Sequence, residues 1–368
     1  MGLGARRWQV LTVMAALMAL LASCAHGHAQ SARHDRPGAF AGALKTWADR
    51  YGVKRAFVVV RRDGQVIERF ALGRVDPDQP VPLASLSKAI TGACVATLIR
   101  DQKMTFDTPV STALAKFIAA HGAPRDTRVG QLTIAQLLTH RAGFATSDDE
   151  DPASGRNLDR YLQRHSSREP PRSSLTDAVL RARLVREPGV VYAYGNAGYF
   201  LLGAIIAEAS GRPYLDYCRD AVLKPVGAEG DFDPAWRVSS SMGGWRMKGE
   251  DYLKVLDLFA AEDERLGSAA KRWMFDAQGK SVPFDSAVWY GLGTLVRKAD
   301  RGHDVWHWGS WDYTPEKGAK GAARTSFVAY AKRFADGTGL FVYAEPRQEE
   351  GAPRQELDRA LEQSRRPK

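Results

Sequence analysis

One serine and one lysine are spaced for nucleophilic chemistry. The segment Ser85-Leu86-Ser87-Lys88 places the lysine three residues after the serine, where an apolar stretch with helical period begins. Residues three apart share one face of a helix, so the Lys88 amine is within reach of the Ser85 hydroxyl. A serine needs a base to remove its proton, and burial lowers the pKa of a lysine toward that role. Taken alone, the tetrad also fits a helix-capping serine followed by an exposed lysine.

A tyrosine and an asparagine precede a second apolar helix, in Tyr194-Gly195-Asn196. A nearby lysine ammonium favours the phenolate of Tyr194, which could then shuttle a proton. Asn196 could orient a substrate amide or the lysine. Tyr192 offers a second phenol two residues away, although the spacing to Asn196 selects Tyr194. Taken singly, this segment also fits a surface loop.

The third group, His307-Trp308-Gly309, lies in a predicted strand near the C-terminus. Gly309 lets a substrate backbone lie close to the strand. The next residue, Ser310, offers a backbone N–H as an oxyanion donor, and the N-terminus of the helix at Ser85 offers another. Taken alone, His307 also fits a structural histidine.

The elements around these groups predict an α+β fold. Residues 56–60 and 66–72 read as a hairpin around Asp63-Gly64, and helical periods follow near residues 87–99, 133–138 and 199–209. The segments 291–296, 325–334 and 340–343 read as strands again. Strands at both ends of the chain predict one antiparallel sheet with an inserted helical region. Residues 146–175 are polar and predict a long surface excursion.

Together the three groups resemble a known family. An S-x-x-K tetrad, a Y-x-N triplet and a K/H-x-G triplet occur in this order in class C serine β-lactamases, penicillin-binding proteins and related esterases. Three further segments resemble that family: Thr133 to Gly143, Pro188 to Gly203, and Trp289-Tyr290-Gly291-Leu292-Gly293. The resemblance runs from about residue 45 to about residue 345, and it implies a β-lactamase/D,D-peptidase-like fold.

The resemblance also implies roles for the residues. Ser85 would be the acylated nucleophile, with Lys88 and Tyr194 sharing the acid and base work. Asn196 would orient the substrate, His307 and Gly309 would line the opposite wall, and Ser310 would complete the oxyanion hole. The reaction would proceed through an acyl-enzyme and its hydrolysis, without a metal or cofactor.

Two features depart from the family's usual pattern. The third triplet usually carries a lysine that helps to hold a substrate carboxylate, whereas His307 is mostly neutral at pH 7. This favours esters, amides or D-amino-acid peptides as substrates over efficient penicillin hydrolysis. The second feature is a group of aromatic residues at the third triplet: Trp306, Trp308, Trp311 and Tyr313. They could form a wall for an apolar acyl group, or they could be a packed strand surface.

The N-terminus predicts export. Arg6 and Arg7 precede an apolar run over residues 10–22, too short to span a bilayer comfortably. The run ends in Leu21-Ala22-Ser23-Cys24, which resembles a bacterial lipobox and predicts a lipid on Cys24 that anchors the protein to a membrane. The alternative is a plain signal cleaved later, which would discard Cys24. The predicted organisation is a signal peptide over 1–23, a flexible tether over 24–40, the hydrolase domain over 41–346 and a C-terminal helix and tail over 347–368.

Composition excludes several other classes. The chain has 368 residues, and its 44% hydrophobic and 26% charged residues are ordinary for a globular protein, so general disorder and coiled coil are excluded. The formal net charge of +10 is spread along the chain without a basic run, so we expect no nucleic acid partner. No clustered metal ligands or phosphate loop occur. Cys94 and Cys218 sit among apolar neighbours and read as two buried free thiols, with a disulfide between them as the alternative.

The sequence thus predicts an exported or envelope-anchored serine hydrolase of the periplasm or cell envelope, with a small molecule or peptide as its substrate. The alternatives within the family are a β-lactamase or a penicillin-binding protein. A family member without turnover, which binds or senses peptidoglycan or β-lactams, is the hypothesis from another class.

Overall fold

The computed structural model describes residues 38–146, 150–153, 172–233, 237–276, 280–313 and 325–365. The predicted signal peptide, Cys24 and most of the predicted tether lie outside these residues. The strands are β1 Arg55–Arg62, β2 Gln65–Leu72, β3 Val81–Pro82, β4 Gly230–Phe232, β5 Trp245–Met247, β6 Ser281–Val282, β7 Asp285–Gly291, β8 Thr294–Lys298, β9 His303–Tyr313, β10 Thr325–Arg333 and β11 Gly339–Glu345. The helices are α1 Ala39–Tyr51, α2 Ser87–Arg100, α3 Val110–Ala113, α4 Ala115–His121, α5 Thr127–Gln131, α6 Ile134–Leu138, α7 Arg172–Leu180, α8 Ala197–Ser210, α9 Tyr214–Cys218, α10 Gly249–Asp257, α11 Ser268–Phe275 and α12 Ala352–Ser364.

The two ends of the chain meet in one antiparallel sheet, as predicted. Its strand order is β2-β1-β11-β10-β9-β8-β7-β6, so the first hairpin pairs with the last strand. The β1–β2 hairpin turns at Asp63 and Gly64, which both have positive φ as a type I′ turn requires. The helical region is inserted between β2 and β6, which confirms the α+β class. A small second sheet has the order β3-β5-β4.

The prediction of a single strand over 291–296 is wrong. The chain turns at Leu292-Gly293, both with positive φ, and forms the β7–β8 hairpin. This turn packs on α2: a Cβ on Gly293 would collide with the Lys88 carbonyl, and a Cβ on Gly92 would collide with Leu292. The two glycines therefore allow the sheet to approach the helix that carries Lys88.

Helix α2 is the central helix of the core, and nearly all of its residues are buried. A disulfide joins Cys94 in its middle to Cys218 at the end of α9, with their Cα atoms 5.6 Å apart. The expectation of two free thiols is therefore wrong. Helix packing brings together two cysteines that are 124 residues apart in the sequence, which their apolar neighbours alone cannot reveal.

The outer face of the sheet is covered by α1 and α12, which pack against each other. The Trp47 indole of α1 donates to the Pro353 carbonyl at 2.7 Å. The buried ammonium of Lys332 on β10 bonds to Asp358 at 2.9 Å and to Glu362 at 3.3 Å, both on α12. The predicted C-terminal segment therefore contributes a packed helix to the fold. Within the described ranges, every helix is too short or too polar to cross a membrane.

Candidate active site

Ser85 lies in a tight turn that β9 closely approaches. Residues 84–86 form one turn of 3-10 helix before α2, and Ala84 has φ +45°, a value that is uncommon outside glycine. A Cβ on Gly309 would collide with the Leu83 carbonyl and would lie 3.1 Å from the Ser85 amide nitrogen. Only glycine therefore lets β9 pass this close to the serine.

The Lys88 ammonium is fully buried beside Ser85 and has three acceptors. Its Nζ lies 2.9 Å from Ser85 Oγ, 2.8 Å from Asn196 Oδ1 and 3.0 Å from the Met242 carbonyl. Burial lowers the pKa of Lys88 to about 7, and the negative charge of Asp151 opposes part of this effect. Near neutral pH a large fraction of Lys88 is therefore a free amine that can take the Ser85 proton.

The segment from Ala193 to Asn196 is held by two buried groups. The Ala193 N–H donates to the His140 carbonyl at 2.8 Å, and the Gly195 N–H donates to His140 Nδ1 at 3.3 Å. The Asn196 N–H donates to the carboxylate of Asp151 at 2.7 Å, and the same carboxylate accepts the Ala153 N–H at 2.9 Å. Asp151 is 1% exposed, although it belongs to the polar excursion.

Tyr194 lies over Lys88 and completes the cluster. Its ring centroid is 5.0 Å from Lys88 Nζ. Desolvation of the hydroxyl raises the pKa of Tyr194, and the neighbouring Ser85 hydroxyl only partly opposes this. The expected preference for the phenolate is therefore wrong, because burial outweighs a neighbouring cation that is itself easily deprotonated. Tyr194 is a neutral phenol that can donate or relay a proton.

His307 lies on the opposite wall as a neutral imidazole. Its Nδ1 is 2.5 Å from the Trp308 carbonyl and its Nε2 is 2.9 Å from the Tyr290 hydroxyl. Since a carbonyl only accepts, Nδ1 carries the proton and Nε2 accepts from Tyr290. Burial of the imidazole lowers the pKa of His307 to about 3, and the positive charge of Lys88 is the second largest cause. No fixed charge is therefore available at this position of the triplet.

Ser310 follows Gly309 on β9, and its side chain points to the outer face of the sheet. Among the described strands, β8 pairs with β9 only as far as Trp306, so the edge of β9 is open beside Ser85. The Ser310 hydroxyl accepts a bond of 3.0 Å from Arg354 Nη2 on α12, and this guanidinium also lies 5.5 Å from the Trp308 ring centroid. The C-terminal helix thus braces the strand of the third triplet from behind.

The predicted aromatic wall is divided between the two faces of β9. Trp308 stacks on Tyr330 with the ring centroids 3.9 Å apart, and the Trp306 ring centroid lies 5.5 Å from Lys332 Nζ. Both tryptophans are on the face of the sheet that α12 covers. The ring of Trp311 points the other way, 3.3 Å from where a Cβ of Gly243 would stand. Side chains alternate along a strand, so Trp306 and Trp308 cannot line the cleft. The reading as a packed surface is correct for these two.

The structure brings together all the residues that the sequence singled out in the described ranges: Ser85, Lys88, Tyr194, Asn196, His307, Gly309 and Ser310. Cys24 is the exception, since it lies outside them. Sequence reasoning missed the roles of Asp151, His140, Tyr290 and the Met242 carbonyl. His140 and Tyr290 do lie within the quoted family segments, whereas Asp151 is hidden in an acidic run. Across the described ranges, no group of three or more His, Cys, Asp or Glu could hold a metal ion.

Comparisons with known proteins identify the family. The sequence model of the Beta-lactamase family matches residues 29–350. The chain therefore belongs to the Beta-lactamase family, which confirms the predicted class of serine β-lactamase-related hydrolases.

Individual relatives are distant. Protein flp of Staphylococcus aureus is 25% identical over 182 residues, which cover 46% of this chain and 33% of that protein. A putative fimbrial assembly protein FimD of Dichelobacter nodosus is 32% identical over 137 residues, which cover 37% of this chain and 31% of that protein. The chain thus spans about a third of these curated relatives.

The fold is shared with a solved D-stereospecific amidohydrolase from Streptomyces. It aligns with a TM-score of 0.68 and 18% identity, over 88% of this chain and 97% of that one.

Proposed function

We propose that this protein is an active serine hydrolase that cleaves an ester, amide or D-amino-acid peptide bond through an acyl-enzyme on Ser85. One observation carries the proposal: a buried lysine of pKa about 7 lies 2.9 Å from the serine hydroxyl. A structural lysine would be expected to keep its charge, whereas this one is poised to exchange a proton.

The cluster supports the following steps. Neutral Lys88 takes the Ser85 proton as Oγ attacks the substrate carbonyl carbon. The N–H groups of Ser85 and Ser310 stabilise the oxyanion. Tyr194 gives its proton to the leaving alcohol or amine as the scissile bond breaks, and Lys88 returns a proton to Tyr194. Water then attacks the ester carbon with the same pair acting as the base, which releases the acid and restores Ser85.

The substrate class follows from the wall opposite Tyr194. Neutral His307 offers no cation for a carboxylate, so substrates without a carboxylate beside the scissile bond are favoured over penicillin-like acids. The fold is shared with a D-stereospecific amidohydrolase and with a D-amino acid amidase from Ochrobactrum anthropi, which supports amide and ester chemistry on this scaffold.

We further propose that the protein is exported and carries a lipid on Cys24. The apolar run before Leu21-Ala22-Ser23-Cys24 supports this. The Cys94–Cys218 disulfide supports an oxidising compartment such as a periplasm. Metabolic labelling with a clickable fatty acid, in the full chain and in Cys24→Ala, tests it: label in both or in neither would refute lipidation.

The hydrolase proposal is tested by labelling the purified chain with a fluorophosphonate and with a fluorescent penicillin over time. We expect fluorophosphonate labelling that Ser85→Ala abolishes, together with ester turnover. A persistent penicillin band without ester turnover would favour a penicillin-binding protein or sensor, and a transient band would favour a β-lactamase. No label from either probe would refute the catalytic proposal.

A further inference from the structure

Most of the exposed large hydrophobic side chains belong to two segments of the chain. Among the described residues, six such side chains are exposed by more than a third: Ile67, Val185, Val190, Val191, Tyr194 and Phe284. Five of them fall in the loop 185–194 and in the β6–β7 turn. A group of exposed apolar side chains that lie together on a soluble protein is a candidate binding surface.

One arginine ties these two segments together. The Arg141 guanidinium donates to the Val190 carbonyl at 2.8 Å and to the Ser281 carbonyl at 3.0 Å. The loop is also tied to the chain around Arg141, because the Val185 N–H donates to the Gly143 carbonyl at 2.9 Å. The loop 185–194 and the β6–β7 hairpin therefore lie on either side of Arg141. The residue before Arg141 is His140, which supports the segment of Tyr194.

This rim lies on the side of Ser85 from which the leaving group departs. In the proposed reaction Tyr194 gives its proton to the leaving group, so that group must lie on the Tyr194 side of the serine. Val190 and Val191 precede Tyr194 by only four and three residues, and the rings of Tyr192 and Tyr194 lie 6.2 and 6.3 Å from the Tyr290 ring. A leaving group that extends out of the cleft on this side would meet apolar side chains.

We propose that the apolar rim formed by Val185, Val190, Val191 and Phe284 binds the leaving group of the substrate, and that the natural substrate is an ester or amide whose alcohol or amine part carries an apolar chain or ring. This inference rests on the proposed hydrolase function. The exposed fractions, 64% for Val190 and 68% for Phe284, leave a surface that such a chain covers on binding. Because Val190 and Val191 lie only four and three residues before Tyr194, the substrate is favoured over a second copy or a lipid surface.

The test is a series of acetate esters of linear alcohols from ethanol to octanol, hydrolysed by the wild-type protein, by the Val190→Ser/Val191→Ser variant and by Phe284→Ser. Ile67→Ser is the matched control, because Ile67 is 51% exposed on β2 at the far edge of the sheet. Full burial of one methylene is worth about fourfold in affinity, so partial burial should raise kcat/KM by about twofold per methylene. We expect this slope in the wild type and in the control, and a much flatter slope in both rim variants.

Two results would overturn the inference: a flat series in the wild type, or the same slope in all variants. A change in vesicle binding or oligomeric state in the rim variants, with the ester slope unaltered, would assign the rim to a lipid surface or a second copy instead. These results can be told apart from a failure of the hydrolase proposal itself. In that case no ester of any length would be cleaved and Ser85 would take up no fluorophosphonate.

Discussion

At the scale of single residues, the site depends on the cost of burying one ammonium. Lys88 has three acceptors at hydrogen-bond distance, and its pKa still falls to about 7 because water is excluded around it. The imidazole of His307 is kept neutral by the same exclusion of water, and desolvation of its hydroxyl keeps the phenol of Tyr194 neutral although 36% of that side chain is exposed. One physical effect thus sets the protonation states of the base, the proton donor and the far wall.

Replacing the lysine should remove the base and leave the fold intact. We expect Lys88→Met to lower kcat/KM for a short-chain ester by at least about 10³-fold, the range seen when a general base is lost. Methionine fills a similar volume without a charge, so the thermal midpoint should not fall. Ester kinetics and a melting curve on the same sample check both parts, and activity within tenfold of wild type would contradict the role of Lys88.

The pH profile should report the lysine directly. Lys88 must be neutral to accept the proton, so kcat/KM should rise with pH through about 7. The groups that face its ammonium are Asp151, His140, His307, Tyr194 and Tyr199. Of these, Asp151 raises the pKa of Lys88, so Asp151→Asn should move the rising limb of the kcat/KM profile to lower pH. The same variant weakens the support of Asn196, so the maximal kcat/KM should also fall.

The matched control for this shift is the neighbouring Glu150→Gln. It removes the same charge from an exposed position, where water screens it. We expect its rising limb to coincide with that of the wild type. If Asp151→Asn left the limb in place, or moved it to higher pH, the electrostatic role of Asp151 would be excluded.

At the scale of elements, the site exists because β9 passes against the turn before α2. Gly309 has no space for a side chain there, and Gly293 and Gly92 allow the β7–β8 turn to reach the other side of α2. Helix α2 is thus held between two parts of one sheet. This packing fixes Ser85 relative to the open edge of β9.

A single methyl group should disturb this contact. Gly309→Ala places a Cβ against the Leu83 carbonyl, so the strand must shift away from Ser85. We expect a loss of at least about 10²-fold in kcat/KM, because small displacements in a site are costly, together with a lower melting temperature. Gly42→Ala on α1 is the control: a Cβ there meets nothing within 4 Å, and alanine should stabilise the helix by about 0.5–1 kcal/mol. Equal activity of the two variants would contradict the close-approach argument.

At the scale of the whole molecule, long-range links hold the site together. The sheet joins β1 to β11, α12 supports β9 through Arg354, and the disulfide ties α2 to α9. Residues of the site come from α2, from the excursion near Asp151, from the start of α8 and from β9. Each belongs to a part of the chain that reaches the site only when the fold is complete.

The disulfide should contribute substantially to global stability. It closes a loop of 124 residues, and cross-links of this kind typically stabilise by about 2–5 kcal/mol. We expect a reducing agent to lower the urea midpoint of the wild-type protein markedly and to leave a Cys94→Ser/Cys218→Ser variant unaffected. If the reductant shifted both midpoints equally, the stabilisation could not be assigned to this bond.

The motifs and the class of fold could be read from the sequence because they depend on local order. The S-x-x-K spacing needs only one turn of helix to bring Lys88 to Ser85. The Asp63-Gly64 turn needs only positive φ at two residues. The alternation along β9 is equally local. It puts Trp306 and Trp308 on the packed face, which is one of the two alternatives that the run of aromatic residues left open.

Other properties of the site depend on distant segments of the chain coming close, and these could not be predicted from local order. Burial, which lowers the pKa of Lys88 and raises that of Tyr194, is imposed by surrounding elements rather than by sequence neighbours. The pairing of Cys94 with Cys218 and the position of Asp151 beside Asn196 are likewise results of packing. The order of the residues already specifies which chemical groups are present. The folded chain determined their charge states and their partners, because electrostatic energies depend on the distance between groups and on the water excluded around them.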